Sequence, residues 1–479
     1  MNLEKVVSPL GLLLCVTGMA MLLPALIDLS QGNRDWQVFM TSAFISGGAG
    51  LFLHLGFRDR HSGWSRRDGF VFISLAWLVM CTAGALPFYF AEVKLGPIDA
   101  LFESVSGLTT TGSTVMSQLE MRPPGILLWR SLLQWIGGVG IVVLSVFLFP
   151  FLKLGGQHLF SLESSDTAEK SFARFEEYAI RILLLYCALT LACTMTYNAL
   201  GMSFFDAINH AMTTLSTGGF GTSDLSFAKF DSVPILWASS FYMFIGGLPF
   251  MVMLLVFSSR RRFFDVQIGW YTAIILLTIF LVLISLSLTG SILDSTTLAS
   301  VVFTVISIIT TTGFVFQDYG IWPTVALLAI VGITLLGGCS GSTAGGLKVF
   351  RLVVLWEICR FAVSRLLSPN SVARMKYGEQ AVDEETIIPV VAFTLLYFIA
   401  FGVGACILAI NGHDLITSLT ASATALANVG PGLGAQVGPV TNFASLTGID
   451  KLVLSFQMIL GRLEIMSVIV LFVPSFWRD

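Results

Sequence analysis

Four short polar segments recur along an otherwise apolar chain, and each is centred on a glycine. They are residues 109–114, 216–220, 310–314 and, as a weaker version without threonine, 427–431. Backbone carbonyls in a narrow loop can replace the hydration shell of a K⁺ ion without the cost of placing a full charge in a membrane. Glycine tolerates the backbone angles that such a loop needs. The pattern therefore predicts loops that coordinate a cation.

Each loop contributes three candidate ion ligands, ending in a predicted filter glycine. The candidates are Thr110, Thr111, Gly112, Ser216, Thr217, Gly218, Thr311, Thr312, Gly313, Asn428, Val429 and Gly430. A blander interpretation is that these glycines only allow helices to pack closely. That alternative is stronger for the fourth loop than for the set of four.

The composition of the chain indicates that these loops belong to a membrane protein. Of the 479 residues, 55% are hydrophobic and 11% are charged, whereas soluble domains carry about 25% charged residues. We therefore expect an all-α integral membrane protein with about ten transmembrane helices, in contact with the lipid bilayer. The net charge of -3 and the lack of a basic tail or patch give no indication of nucleic-acid binding.

The apolar runs predict how the loops are positioned. An N-terminal helix pair (residues 6–29 and 38–57) precedes four pseudo-repeats, each with a spanning helix, a short pore helix, a filter loop and a returning helix. The first run could be a signal peptide, but it is longer than a typical signal core and is read as a retained helix. The short helices would direct their carbonyl ends, with partial negative charge, toward one pore. The predicted divisions are residues 1–60, 61–177, 178–265, 266–380 and 381–479.

The predicted short helices are residues 99–109, 204–215, 297–309 and 415–425. The predicted returning helices are residues 126–151, 234–257, 322–365 and 452–472. Basic clusters occur between the repeats, namely Arg58, Arg60, Arg66 and Arg67, then residues 260–262, then Arg351 to Arg374. Such clusters stay in the cytoplasm, so the sequence predicts that both termini are cytoplasmic.

Residues 337–346 interrupt the third returning run with five glycines. Glycine-rich backbone of this kind does not hold a helix well in water or in lipid. A packing kink is one interpretation, and a loop that closes the pore beneath the filter is the other. The candidate gating residues are Gly337, Gly338, Ser340, Gly341, Ser342, Thr343, Gly345 and Gly346. Lys348, just after them, is either a membrane-edge anchor or a gating contact.

Arg462 lies near the middle of the apolar run 452–472. A charge at that depth costs roughly 2.5–3.5 kcal/mol on insertion scales, so the side chain should face protein or water. One interpretation is an ion pair with a nearby acid such as Glu464. The other is a fixed positive charge beside the pore, which would raise the barrier for cations.

Acidic residues accompany the short helices. Asp99, Asp206 and Asp414 lie near the starts of three of them, where an acid complements a helix N-terminus. Capping is therefore favoured over direct ion binding for these residues, and Glu103 lies within the first short helix. His210 in the second is expected to be hydrogen-bonded rather than an ion ligand.

The sequence resembles the Trk/Ktr/HKT superfamily of potassium uptake proteins, and within it the TrkH/TrkG type. The resemblance covers the whole chain and includes the N-terminal helix pair. The segments that carry it are residues 107–112 (GLTTTG), 216–221 (STGGFG), 310–314 (TTTGF), 428–430 (NVG), 337–346 (GGCSGSTAGG) and 461–464 (GRLE).

The resemblance implies one K⁺ filter per chain, with residues 337–346 as an intramembrane gate and Arg462 beside it. In plant relatives a serine in place of the first filter glycine accompanies Na⁺ preference, so four glycines imply K⁺. It further implies a homodimer in the bacterial inner membrane and a cytoplasmic, nucleotide-binding TrkA-type ring as partner. The fourth loop departs from the Thr-x-Gly pattern, which leaves ion coordination there open.

Other functional classes fit less well. A secondary transporter that couples K⁺ to H⁺ or Na⁺ would use broken helices with buried acids in matching halves, and few such acids are present. A membrane enzyme would need a motif such as His-Glu-x-x-His, which the sequence lacks. No Walker loop or dinucleotide fingerprint is present, so we expect no nucleotide bound by this chain itself.

Overall fold

The computed structural model describes residues 3–57, 65–152, 168–259, 265–368, 375–378, 380–382 and 384–478. Apart from the short antiparallel pair β1 (Lys376–Tyr377) and β2 (Gln380–Ala381), its regular elements are helices. Several basic residues of the predicted cytoplasmic loops lie outside the described residues. They are Arg58, Arg60, residues 260–262 and Arg374. So does most of the predicted cytoplasmic loop that precedes Glu177.

The N-terminal pair comprises a nearly continuous run and one further helix. The run contains α1 (Leu3–Ala20) and α2 (Leu22–Ser30), and the second helix is α3 (Trp36–Gly56). The helix α3 directs large apolar side chains outward, with Phe44 81% exposed and Phe52 73% exposed. Such a surface suits lipid rather than water.

The elements that follow occur in four sets. The first set is α4 (Arg66–Phe90), α5 (Pro97–Leu108) and α6 (Pro124–Leu152). The second is α7 (Ala168–Ala199), α8 (Phe204–Leu215), α9 (Val233–Gly246) and α10 (Phe250–Ser259). The third is α11 (Val266–Leu288), α12 (Ser295–Ile309), α13 (Thr324–Thr334) and α14 (Val349–Leu367). The fourth is α15 (Glu384–Ile410), α16 (Leu415–Ala427), α17 (Gly448–Arg462), α18 (Ile465–Ile469) and α19 (Pro474–Trp477).

Within the described residues, seven helical segments are long and apolar enough to cross a membrane, or up to nine if each of two bent pairs is one span. The seven are Glu4–Ser30, Trp36–Gly56, Arg67–Phe90, Pro124–Leu144, Glu177–Ala199, Val266–Leu288 and Thr386–Ile410. The sequence predicted about ten because it counted residues 322–365 as a span. The structure divides that run between α13 and α14.

Two returning helices that were predicted as continuous are broken. The second bends by 95° between α9 and α10, and the fourth bends by 109° between α17 and α18. Pro249 lies in the first break, where it removes a backbone donor. Glu464 lies in the second with φ of +60°, which no α-helical residue adopts. Arg462 is therefore the last residue of α17 and is not in the middle of a helix.

Three of the four short helices, α8, α12 and α16, begin with a side-chain cap. Asp414 caps α16 by accepting the Thr417 N–H at 3.1 Å, as predicted. Asp206 is instead in the first turn of α8, where it accepts a hydrogen bond from Lys229 Nζ at 3.1 Å. Asp99 is likewise in the first turn of α5 and pairs with Lys451 at 2.7 Å. Both acids still lie at the positive end of a helix.

Candidate functional site

The four polar loops share one backbone conformation. Each short helix is followed by a left-handed residue other than glycine, and a left-handed glycine comes two positions later. The first kind comprises Thr110, Thr217, Thr311 and Asn428, with φ of 54°, 52°, 59° and 58°. The glycines are Gly112, Gly219, Gly313 and Gly430, with φ of 87°, 79°, 76° and 103°. Residues other than glycine rarely adopt the left-handed region of φ. Four matched occurrences therefore indicate that the loops share one conformation.

This conformation corrects the register predicted for the second loop. The counterpart of Gly112 is Gly219, because Thr217 has the left-handed conformation of Thr110. Gly218 takes the position of Thr111, and its N–H bonds to the carbonyl of Thr213 at 2.8 Å. The two adjacent glycines made both alignments possible from the sequence.

The loops contact one another in a closed circuit, which we call the loop ring (residues 110–112, 217–219, 311–313 and 428–430). A Cβ atom on each ring glycine would meet a carbonyl oxygen of the next loop. The distances are 2.3 Å from Gly112 to Gly218 O, 1.9 Å from Gly219 to Thr312 O, 1.9 Å from Gly313 to Val429 O and 2.7 Å from Gly430 to Thr111 O. Only glycine allows this approach.

Three of these four carbonyl oxygens are without a hydrogen-bond donor within the part of the chain that the structure describes. They belong to Thr111, Thr312 and Val429, which are fully buried. An unpaired buried carbonyl costs free energy, and a dehydrated cation is one partner that would satisfy several at once. The described residues contain no group of three or more His, Cys, Asp or Glu side chains suited to a metal ion.

Threonine hydroxyls and an amide support the loops from within. The hydroxyl groups of Thr109 and Thr111 are 2.7 Å apart, and those of Thr310 and Thr312 are 2.8 Å apart. In the fourth loop Asn428 donates to Thr111 Oγ1 at 3.0 Å, which connects the first and fourth loops. The departure of the fourth loop from Thr-x-Gly therefore provides a contact between two adjacent loops of the ring.

A cavity of about 200 Å³ lies on one side of the loop ring and is lined by all four ring glycines. Beside it Arg130 forms a buried ion pair with Glu103 at 2.8 Å. Arg130 also donates to Gly221 O at 2.9 Å and lies 4.0 Å from the centre of the Phe220 ring. This pair neutralises both charges and connects the first short helix to the second loop. Arg130 was not predicted from the sequence, although a lone arginine in an apolar helix is a recognisable signal.

Residues 337–346, here called the glycine segment, lie against the opposite side of the loop ring. Gly345 donates its N–H to Thr311 Oγ1 at 2.7 Å. The Thr343 hydroxyl lies 3.0 Å from each of two carbonyl oxygens, those of Leu215 at the end of α8 and Gly246 at the end of α9. The segment therefore contacts the ring and two helix ends at once.

The cavity on this side is nearly closed. It measures about 20 Å³ and is lined by the glycine segment, by Arg462 and by Lys348. A space of this size holds about one water molecule. The cavity on this side of the ring is therefore about a tenth of the volume of the cavity on the other side.

Arg462 reaches the glycine segment directly. Its Nη1 donates to Thr343 O at 2.8 Å, and its Nη2 donates to Gly137 O at 3.4 Å. The alternative pair with Glu464 is not formed, because Glu464 pairs with Arg351. Lys348 donates to the carbonyl of Ala344 within the same segment. Two cationic side chains thus hold the glycine segment through its carbonyl oxygens.

The histidine of the second short helix has structural partners. His210 is fully buried, and its Nδ1 lies 2.8 Å from Asp206 O. It packs against Phe227, Phe230 and Phe314.

Another residue that was not predicted is Gln134 on α6, which donates to Gly218 O at 2.5 Å. It was visible in the sequence as a lone amide in an apolar run.

Comparison with known proteins agrees with the resemblance that the sequence motifs indicated. The family model described as "Cation transport protein" (TrkH) matches residues 36–478. The chain belongs to the TrkH family. It is a membrane transport protein rather than an enzyme. This confirms the resemblance seen in the loop and glycine-segment motifs.

Several relatives of this TrkH-family chain resemble it over most or all of their length. It is 40% identical to the Trk system potassium uptake protein TrkI of Halomonas elongata, over 86% of this chain and 84% of the relative. It is 35% identical to TrkH of the same organism over the full length of both. The crystal structure of the potassium transporter TrkH from Vibrio parahaemolyticus superposes with a TM-score of 0.92 at 32% identity, covering both chains completely.

Proposed function

We propose that this chain takes up K⁺ through a selective, gated pore formed by one chain, as the translocating subunit of a Trk-type system. The observation that carries the proposal is the closed circuit of the loop ring, in which three buried carbonyl oxygens have no donor among the described residues. Relatives named as potassium uptake proteins match the full length of this chain. In this proposal the four sets of helices are pseudo-repeats around one pore.

The filter in this proposal is the loop ring together with Ser216, which directly precedes its second loop. Glycine at all four ring positions supports K⁺ as the transported ion. The ends of α5, α8, α12 and α16 lie at the ring, so their carbonyl dipoles favour a cation there. The ring is buried in protein on its outer circumference, which is the condition under which irregular backbone is tolerated at membrane depth.

The gate in this proposal is the glycine segment, held by Lys348 and Arg462. Its contacts with Thr311, Leu215 and Gly246 support this role, because they close one side of the ring to about the volume of one water molecule. Two nearby positive charges would also repel a cation below the filter. Opening would require the Arg462–Thr343 contact to break.

The wider assembly follows from family membership and is also a proposal. The chain would form a homodimer in the bacterial inner membrane, with both termini in the cytoplasm. A cytoplasmic TrkA-type ring would bind the regulating nucleotide and act on the gate from the inner side. These partners would act on the Trk-type subunit without a nucleotide site on this chain.

The deciding experiment is ion flux into proteoliposomes that contain the purified chain alone, without a pH gradient. Flux of K⁺ and Rb⁺ driven by their own gradient, with little Na⁺ or Li⁺ flux, would support a selective pore. Flux that required an imposed H⁺ or Na⁺ gradient would contradict it and would support the coupled transporter instead. Empty liposomes and the Gly219→Ala variant serve as controls.

A further inference from the structure

The four loops of the ring differ in how the residue before the ring glycine is supported. In the first and third loops this residue is a threonine, whose hydroxyl pairs with the threonine two positions earlier, as described above. In the second loop the corresponding positions are Ser216 and Gly218, so no such pair can form. Gly218 has no side chain to support the loop from behind.

Gln134 supplies that support from α6. The side chain is fully buried, and its amide spans both sides of Gly219. Its Nε2 donates to Gly218 O at 2.5 Å, and its Oε1 accepts the Phe220 N–H at 3.0 Å. This side chain is the only amide of α6 that contacts the ring among the described residues.

Gln134 also fills the space of the missing side chain. A Cβ atom on Gly218 would lie 2.4 Å from Cδ of Gln134 and 2.5 Å from its Oε1. The backbone of Gly218 is not in the left-handed region, so an alanine there is excluded by contact with Gln134 and not by φ. Gln134 and Gly218 thus form one complementary pair.

The same contact makes one ring carbonyl different from the other three. Gly218 O accepts a hydrogen bond, whereas the oxygens of Thr111, Thr312 and Val429 have no donor among the described residues. Gln134 therefore fixes the position of this oxygen and also competes with an ion for it. Discrimination between cations depends on the size of the site and on the number and strength of its carbonyl ligands.

We propose that Gln134 is a positioning residue that sets the K⁺ selectivity of the second filter loop, in place of the hydroxyl pair of the first and third loops. This inference rests on the proposed function of the loop ring as a K⁺ filter. Without Gln134 the second loop would be free to move toward a smaller ion. The residue acts through Gly218 and Phe220 and does not itself contact the ion.

The first test measures K⁺ and Na⁺ flux in proteoliposomes for Gln134→Ala. We expect the K⁺/Na⁺ flux ratio to fall about tenfold, as the loss of one or two buried hydrogen bonds would give. Gln134→Met, which keeps most of the volume and loses both hydrogen bonds, should lower the ratio as well and guards against a folding defect. An unchanged ratio in a folded variant of either kind would overturn the proposal.

A matched control is Gln457→Ala. Gln457 is another buried glutamine in a returning helix, and it donates to Ala400 O and Ser422 Oγ at 2.9 Å, away from the loop ring. Its removal should leave the K⁺/Na⁺ ratio unchanged. An equal loss of selectivity in this control would mean that general destabilisation causes the effect, and would overturn the assignment to Gln134.

A double-mutant cycle tests whether Gln134 and Gly218 act through one contact. Gly218→Ala alone should lower the flux ratio, because its Cβ would collide with Gln134. In the Gln134→Ala background the same substitution should have little further effect. Additive losses would overturn the paired role.

The wild-type measurement separates this inference from the proposed function. If the wild-type chain shows no K⁺-selective flux, the proposed function fails first. If the wild-type chain is selective and Gln134→Ala is equally selective, only the role of Gln134 fails.

Discussion

Arg462 donates a hydrogen bond of 2.8 Å from Nη1 to the carbonyl oxygen of Thr343. This contact connects the end of α17 to the glycine segment directly beneath the loop ring. Thr343 in turn bonds through its hydroxyl to the ends of α8 and α9. A single arginine thus reaches, through one residue, the elements that close this side of the ring.

Replacing Arg462 with alanine should increase K⁺ flux. The variant removes a positive charge and a charge-assisted hydrogen bond, which contributes about 1.5–3 kcal/mol. A change of about 1.4 kcal/mol in the free energy of the closed state relative to the open state changes the ratio of their populations tenfold. We therefore expect roughly tenfold higher resting flux in proteoliposomes. Arg462→Lys keeps the charge, so its flux should lie between the flux of Arg462→Ala and that of the wild type. Flux equal to or below that of the wild type would contradict the barrier role of Arg462.

Replacing Thr343 with valine should loosen the glycine segment while keeping its size. The single Thr343 O–H, which Leu215 O and Gly246 O share at 3.0 Å each, is lost, and this hydrogen bond is worth about 1 kcal/mol. Resting K⁺ flux should rise several-fold, and deletion of residues 341–345 should raise it further.

The matched control for that variant is Thr278→Val. Thr278 is buried in α11, and among the described residues its hydroxyl bonds only to the preceding turn, at Ile274 O. Its replacement should not change flux. If Thr343→Val and the deletion both conduct like the wild type, the glycine segment is not the gate.

Replacing Gly219 with alanine should abolish K⁺ flux. The new Cβ would lie 1.9 Å from Thr312 O, and the left-handed backbone adds roughly 1–2 kcal/mol of strain. Gly332→Ala in α13, where a Cβ meets no atom within 4 Å, is the matched control and should conduct normally. Both variants should remain monodisperse in detergent. Wild-type flux through Gly219→Ala would show that the second loop is not part of the filter.

The sequence predicted the short helices well because their signals are local. The helix α8 spans Phe204–Leu215 as predicted, and α12 ends at the predicted residue. Capping residues such as Asp414 mark where these helices begin, and the Thr/Gly loops mark where they end. The interruption between α13 and α14 was also visible, because five glycines in ten residues do not favour a helix.

The breaks in the second and fourth returning helices were not predicted. Pro249 is a local signal for the break in the second returning helix, but distant contacts also stabilise this break. The Phe250 N–H bonds to Gly341 O at 3.0 Å, and the Cys339 N–H bonds to Gly247 O at 2.9 Å. The break in the second returning helix therefore satisfies backbone groups of the glycine segment, a relation that no local pattern encodes. The pairing of Glu464 with Arg351, far apart in sequence, likewise excluded the alternative interpretation of Arg462 as a partner of Glu464.

Replacing Glu103 with glutamine should destabilise the folded protein more than it changes ion selectivity. The change leaves Arg130 buried, 1% exposed, without its carboxylate partner. Removing one member of a buried ion pair costs about 3–5 kcal/mol, whereas replacing both with apolar groups is often neutral. We therefore expect a clearly lower melting temperature for Glu103→Gln and a partial recovery in the double variant Glu103→Gln/Arg130→Met. Recovery should be incomplete, because Arg130 also bonds to Gly221 O and contacts the Phe220 ring. Thermal melting in detergent gives the comparison, and equal stability of Glu103→Gln and the wild type would show that the pair contributes little to the fold.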